Sequence, residues 1–176
     1  MNLIVDNEIT IRISSAEYAE ELFSLVQNNL GNKLCYWCPD IENMYSSRES
    51  TLAIITKANS KFQEDGTPDF LIFFNNSLAG LISLGPLNIN ENKCEIGYWL
   101  GLEFENFGLI TRSFPAILNY ARVTLGLATV ELSTAITNIK SQKIPRKFYF
   151  IQDQILTDAE ILDDGPVDHI IWRLDF

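Results

Sequence analysis

The stretch "EIGYWLGLEFENFGLITRSF", Glu95 to Phe114, runs from an apolar strand through a polar loop into a helix. Gly108 lies at the start of this predicted helix, and no obvious capping residue precedes it. The first turn of a helix has four backbone N–H groups without intrahelical partners, and the aligned peptide dipoles place about half a positive charge there. Such a helix start is suited to binding a phosphate group.

Length and composition indicate one globular domain, since the chain has 176 residues of which 47% are hydrophobic. No segment has the uninterrupted apolar length that crosses a bilayer, and the first ten residues have neither a basic region nor a long apolar run. These features predict a soluble, cytoplasmic protein that binds no membrane.

The formal net charge of −10 argues against nucleic-acid binding, because that affinity comes largely from lysines and arginines. Basic or polyamine substrates suit this charge better. Four of the 13 basic residues fall in "NIKSQKIPRK", at Lys140, Lys143, Arg146 and Lys147. This basic cluster is either a solvated helix face or part of an anion site.

Hydrophobic periodicity predicts a strand at "EITIRI" followed by two helices. The helices are expected to begin at the capping boxes Ser14–Glu17 and Ser46–Glu49 and to end near Gly31 and Gly66.

From Pro68 the period becomes two, and the segments "DFLIFF", "LAGLISL" and "KCEIGYWL" indicate three antiparallel strands. A helix from about Gly108 to Leu125, a strand "TVELSTAI", a helix from Ile139 and two closing strands complete the chain. No linker, repeat or low-complexity tract divides it, so we predict a single domain over residues 1–176.

The spacing of Cys35 and Cys38 is C-x-x-C, which also occurs in zinc and redox sites. A zinc site would need Cys94 and the single His169 from distant parts of the chain, and a redox motif would need a strand just before it. We therefore interpret the pair as half-buried thiols and predict no bound metal.

The order of elements resembles that of the GNAT superfamily of N-acetyltransferases, and three motifs resemble its ribosomal-protein serine/alanine (RimJ/RimL-like) branch. "EIGYWLGLEFENFGLIT" is similar to E-I-G-Y-W-L…F-Q-G-x-G-x-M-T, "NIKSQKIPRKFYF" to N-x-x-S-x-x-x-x-x-x-L-G-F, and "DAEILDDGPVDHIIWRL" to E-A-E-W-L-N-G-x-x-V-D-H-x-x-Y-x-L. The resemblance implies an α+β fold with a GNAT-like mixed, mostly antiparallel central sheet. Helices would cover both faces of this sheet, which would splay between its fourth and fifth strands.

The same resemblance implies that acetyl-CoA binds along Glu95–Phe114. Backbone amides of the loop and helix start would cradle its pyrophosphate, and the strand before them would pair with its pantetheine arm. Asn138 would hold that arm, and the basic cluster would meet the remaining phosphate. The implied cofactor residues are Tyr98, Trp99, Leu100, Glu105, Asn106, Phe107, Gly108, Leu109, Ile110, Thr111, Asn138, Lys140 and Lys143.

Four residues depart from the family's pattern. Glu105 and Asn106 replace its glutamine and first glycine, and Phe107 replaces its basic residue. Tyr149 replaces the glycine before Phe150. A carboxylate at position 105 should weaken cofactor binding if it points inward, and should matter little if it faces solvent.

Acetyl transfer to an amine needs one group that accepts the proton of the amine and one that protonates the leaving thiolate. The resemblance gives Glu160 as the base and Ser141 as the acid, and Glu95 is a second candidate base. Each has an ordinary alternative, as a surface glutamate or a first-turn serine. Trp37 resembles a residue on the family's substrate-side loop, and we interpret His169 as a structural histidine held by hydrogen bonds.

The sequence therefore predicts an acetyl-CoA-dependent N-acetyltransferase that works by direct attack in a ternary complex, with a protein or peptide N-terminal α-amine as the preferred acceptor. One alternative acceptor is a small amine or polyamine. A further alternative is a non-catalytic protein whose altered loop binds CoA or a partner without turnover. The oligomeric state stays open, with a homodimer as one candidate.

Overall fold

The structure is a computed structural model that describes residues 2–31 and 33–176, without the side chains of Asn2 and Lys33. The strands are β1 (Asn2–Ile4), β2 (Ile9–Ile13), β3 (Asp69–Phe74), β4 (Ser77–Leu84), β5 (Lys93–Leu100), β6 (Thr129–Ala135), β7 (Ile151–Leu162) and β8 (Gly165–Asp175). The α-helices are α1 (Ala19–Asn29), α2 (Lys33–Trp37), α3 (Ile41–Met44), α4 (Arg48–Asp65), α5 (Leu109–Asn119) and α6 (Lys143–Lys147). The 3₁₀ helices span Ala16–Tyr18 and Leu102–Phe104, and Tyr120–Thr124 form a π-helical turn.

The strands follow the order β1-β2-β3-β4-β5-β6-β8-β7 in an eight-stranded sheet. The pairs β1–β2, β2–β3, β3–β4, β6–β8 and β8–β7 are antiparallel, whereas β5 and β6 are parallel. The parallel pairing joins Lys93–Glu95 to Thr129–Glu131 and stops there in the described part of the chain. The mixed, mostly antiparallel sheet confirms the predicted fold class, and the short parallel pairing agrees with the predicted splay. Strand β1 was not predicted.

Two compact units make up the chain: the first contains the residues up to Ser83 with Tyr98–Ala116, and the second contains Leu84–Gly97 with Ile117–Phe176. In the first unit, α1 places apolar residues at i, i+3 and i+4 on one face, the spacing that a buried helix face requires. These side chains pack with α3, α4, β3 and β4 in one core, formed by Leu22, Leu25, Val26, Ile41, Tyr45, Ile55, Leu71, Phe73, Leu78 and Leu81.

Both predicted capping boxes were wrong: one does not form, and the other begins one residue later. The box Ser14–Glu17 does not form, since the N-cap is Ser15 and it makes no side-chain cap bond. In place of Ser46–Glu49, α4 begins at a box formed by Ser47 and Ser50, each accepting a backbone N–H of the other. A short hydroxyl side chain at the third helical position can make the same reciprocal bond as a glutamate.

In the second unit, the helix predicted from Ile139 is confined to the five residues of α6, which begins at Lys143. The Asn138 carboxamide oxygen accepts the backbone N–H of Ser141 at 3.0 Å and closes a local turn, which delays the helix. The helix predicted to reach Leu125 changes from α5 to the π-helical turn before its end.

Candidate active site

The loop before α5, in the first unit, has two residues in the left-handed region of backbone conformation. Asn106 has φ 68° and Gly108 has φ 70°. A Cβ built on Gly108 would have Cδ of Arg112 at 3.9 Å as its nearest neighbour, so the space beside this backbone is open. A glycine here permits the positive φ without strain and lets a ligand approach the main chain.

The first turn of α5 offers backbone donors. Its first helical bond is from the Arg112 N–H to the Gly108 carbonyl at 2.9 Å. Within residues 2–31 and 33–176 the N–H groups of Leu109, Ile110 and Thr111 bond to no backbone carbonyl outside α5, as expected for a helix start. The open space and the donors fit a diphosphate group.

The loop residues that depart from the family's pattern add no positive charge to this helix start. Phe107 is 53% exposed and its ring packs on Phe74 with centroids 5.1 Å apart. Arg112, one turn into α5, binds Asp6 and Glu8 at 2.7 Å each. The two carboxylates neutralise this arginine, so the helix start relies on its backbone donors.

The predicted pantetheine-binding residues at the end of β5 have structural side chains. Trp99 packs against the core of the first unit, and Tyr98 meets the edge of Phe114 with ring centroids 6.2 Å apart. A Cβ on Gly80 would lie 2.2 Å from the Trp99 carbonyl oxygen, so β4 and β5 approach closely there. Tyr98, Trp99 and Leu100 are all half-buried.

The second unit carries the remaining predicted cofactor residues and the predicted acid. The Asn138 oxygen is used by the turn to Ser141, which leaves the carboxamide NH₂ able to donate. Ser141 is half-buried, and Lys140 and Lys143 are exposed.

Glu160 lies in a hydrogen-bonded chain in the second unit. Its Oε2 is 3.2 Å from His169 Nε2, and His169 Nδ1 is 2.8 Å from the Ser133 hydroxyl. The hydrogen bonds predicted for His169 are therefore confirmed, and one of them reaches the predicted base.

The second candidate base, Glu95, has a raised pKa. Partial desolvation of its carboxyl group is the main cause and the charge of Glu131 adds to it, whereas His169 and a hydrogen bond from the Ser133 backbone act in the opposite direction. The residue as a whole remains exposed, so this is the desolvation of a partly covered surface group, not of an interior one. A raised pKa makes a carboxylate a better base near neutral pH.

Trp37 lies in α2, half-buried, with its ring edge-on to Tyr36 at 4.7 Å. Cys35 and Cys38 are half-buried and Cys94 is buried, and these three residues form no disulfide in the described part of the chain. The described residues contain no group of His, Cys, Asp and Glu side chains arranged to hold a metal ion.

Sequence reasoning missed Ser133 and the ion pairs of Arg112. Alternation along β6 does put Glu131 and Ser133 on one face of the strand. The side chain opposite them depends on strand order and register, which no local pattern encodes.

In the described ranges, none of the helices combines the length and the apolar character that a bilayer span needs. A shallow cavity of about 320 Å³ in the first unit is lined by residues that include Arg12, Tyr18 and Phe62. It contains none of the predicted site residues.

Comparison with known families gives the class of the protein, an acyltransferase that uses acetyl-CoA. The family of acetyltransferases with a GNAT domain matches residues 8–151, and the chain belongs to this family. It is an acetyl-CoA-dependent N-acetyltransferase.

The chain is similar to ribosomal N-acetyltransferase YdaF of Bacillus subtilis (strain 168), with 32% identity over 170 residues that cover 97% of this chain and 92% of the relative. It is 27% identical over 99 residues to the ribosomal-protein-serine acetyltransferase of Escherichia coli (strain K12), over 56% of this chain and 55% of that protein. The solved structure of RimL, a ribosomal L7/L12 alpha-N-protein acetyltransferase in complex with coenzyme A, has a TM-score of 0.93 over 100% of this chain and 98% of that one. At 20% identity that likeness supports the fold alone.

Proposed function

We propose that the protein acetylates the α-amine of a protein or peptide N-terminus, by direct attack of the amine on acetyl-CoA in a ternary complex. Two relatives are named as ribosomal acetyltransferases, which supports a protein amine as the acceptor. The observation that carries the proposal is a pair of carboxylates, Glu160 and Glu95, with His169 as a common neighbour. In this proposal residues 1–176 act as one acetyltransferase domain in the cytoplasm.

An α-amine suits a weak carboxylate base. From reference pKa values near 10.4 for lysine and near 7.8 for an α-amine, about one in 2,500 lysine side chains and one in seven α-amines are neutral at pH 7. Deprotonating an α-amine therefore costs about 3.5 kcal/mol less than deprotonating a lysine side chain, before the enzyme contributes anything.

Each of the predicted cofactor residues would bind a particular group of acetyl-CoA. The N–H groups of Leu109, Ile110 and Thr111 would donate to the pyrophosphate, and Gly108 would allow its close approach. The carboxamide NH₂ of Asn138 would donate to the pantetheine arm, and the exposed Lys140 and Lys143 would meet a further phosphate. When bound, acetyl-CoA supplies the thioester carbon that the amine attacks.

Proton transfer is assigned to three side chains. Glu160 would accept the proton of the attacking amine, and Glu95, with its raised pKa, is the alternative base. Ser141 would protonate the leaving thiolate. Trp37 would contact the acceptor.

A second candidate acceptor is a small amine or polyamine, which the net charge of −10 favours. The two are separated by measuring acetylation of peptides that begin with serine or alanine, of the same peptides with a blocked N-terminus and an internal lysine, and of spermidine. We expect turnover only with a free α-amine. Turnover of spermidine alone would reject the peptide acceptor.

A further inference from the structure

In the second unit, Ser133 on β6, His169 on β8 and Glu160 on β7 form a hydrogen-bonded chain. This chain favours one tautomer of His169. The His169 side chain is 16% exposed and that of Glu160 is 30% exposed. Because an ionised carboxylate only accepts hydrogen bonds, Nε2 must carry the proton that points to Glu160. In the neutral imidazole Nδ1 then accepts the hydroxyl proton of Ser133. The two hydrogen bonds fix the orientation of the ring at both nitrogens.

A bulge in β7 brings Glu160 within reach of His169. β7 and β8 pair Leu156 with His169, and an unbroken register would pair Glu160 with Gly165. Glu160 pairs instead with Val167, two positions nearer to His169. Two residues correspond to about 6–7 Å along a strand. Without the bulge the carboxylate would lie too far away for this hydrogen bond.

Asp168, next to His169 on β8, fastens the bulge. Its Oδ1 accepts the backbone N–H of Asp158 at 3.0 Å. Asp158 has φ 50°, a left-handed conformation that a non-glycine residue adopts at a cost. The hydrogen bond offsets part of this cost. Two neighbouring residues of β8 therefore position Glu160: Asp168 holds the bulge, and His169 bonds to the carboxylate.

Two carboxylates lie near His169: Glu160 on β7 bonds to its Nε2, and Glu95 on β5 interacts with it electrostatically. Glu131 on β6, which pairs with Glu95 across the strands, binds Lys93 at 3.0 Å. Of these carboxylates, Glu160 is the one that His169 holds by a hydrogen bond.

We propose that His169 is a positioning residue for acetyl transfer, which holds Glu160 through Oε2 and leaves Oε1 to accept the proton of the attacking amine. This inference rests on the proposed function, in which Glu160 is the base. In that step the ammonium N–H bond breaks, its electron pair stays on nitrogen for attack on the thioester carbon, and the proton bonds to Oε1.

His169 is the single histidine of the sequence, so ¹⁵N NMR reads its tautomer without any assay of activity. We expect the wild-type protein to show the Nε2-protonated tautomer. Ser133→Ala should keep this tautomer, because the Glu160 carboxylate still accepts from Nε2. The Nδ1-protonated tautomer in the wild type would overturn the inference.

Kinetics test the positioning role. His169→Ala should lower kcat about tenfold to a hundredfold and leave the KM for acetyl-CoA unchanged. His169→Gln can still donate to Glu160, so it should recover part of kcat. Asp168→Ala should lower kcat as well, because it releases the bulge.

A matched control is Thr134→Val, on the opposite face of β6, where the hydroxyl accepts from Trp172 Nε1 at 2.8 Å. This variant should lose stability and keep the wild-type kcat. Wild-type kcat in His169→Ala, or no recovery of kcat in His169→Gln, would overturn the inference while acetyl transfer stands. A wild type that acetylates neither peptides nor amines would overturn the proposed function and this inference together.

Discussion

Replacing Gly108 with valine tests whether the start of α5 holds the cofactor. The positive φ of 70° costs a β-branched residue about 1–2 kcal/mol, and the new Cβ meets nothing closer than Arg112 Cδ at 3.9 Å, so packing adds little. For a chain of this size the melting temperature should fall by about 2–8 °C. The side chain also fills the space beside the N–H donors, and losing one charge-assisted hydrogen bond, about 1.5–3 kcal/mol, weakens acetyl-CoA binding roughly tenfold to a hundredfold.

The chain offers a matched control at Gly126, in the second unit. This glycine has φ 65° and no atom within 4 Å of a built Cβ, so Gly126→Val carries the same backbone strain without touching the loop. Calorimetric titration with acetyl-CoA and thermal unfolding would be measured for both variants. We expect similar losses of stability and weaker binding only in Gly108→Val. Equal dissociation constants for the two would refute the cofactor site at α5.

Restoring the family's residues with Glu105→Gln and Asn106→Gly should tighten acetyl-CoA binding by about 1 kcal/mol, roughly fivefold, in the same titration. Tyr149→Gly should raise the melting temperature by about 1–4 °C, because the tyrosine is 88% exposed at φ 61°; Tyr149→Ala keeps the strain and should show no such gain. Folding raises the pKa of Glu95, so its ionisation lowers stability as pH rises through the folded-state pKa. Glu95→Gln should therefore stabilise the protein at pH 7 and not below about pH 4, as read by denaturant titration at both values. Ser141→Ala should lower kcat about a hundredfold with little change in KM, and an unchanged kcat would remove Ser141 as the acid.

Two residues that depart from the family's pattern lie where the backbone is left-handed. Asn106 and Tyr149 stand at positions where the family has glycine, and both have left-handed φ values of 68° and 61°. The structure gives the physical reason for those glycines, because a left-handed backbone is strained for a residue with a side chain. Asparagine tolerates this conformation better than tyrosine does, so the first replacement keeps the loop at a lower cost than the second.

The sequence by itself determined the order of the strands from β2 onward and of the longer helices, and the helix start at Gly108, because side-chain periodicity and turn residues are local properties. It did not indicate β1 or the short helices α2 and α3. It also indicated Glu160 and Glu95 as candidate bases, which stay predictions. Only the tertiary structure decided that Glu160 bonds to His169, because the two-residue bulge in β7 resets the pairing with β8. Register comes from hydrogen bonds between strands that are distant along the chain, and a shift of two residues leaves the alternation of each strand unchanged. The sequence pattern is therefore the same with or without the bulge, whereas the distance from carboxylate to imidazole is not.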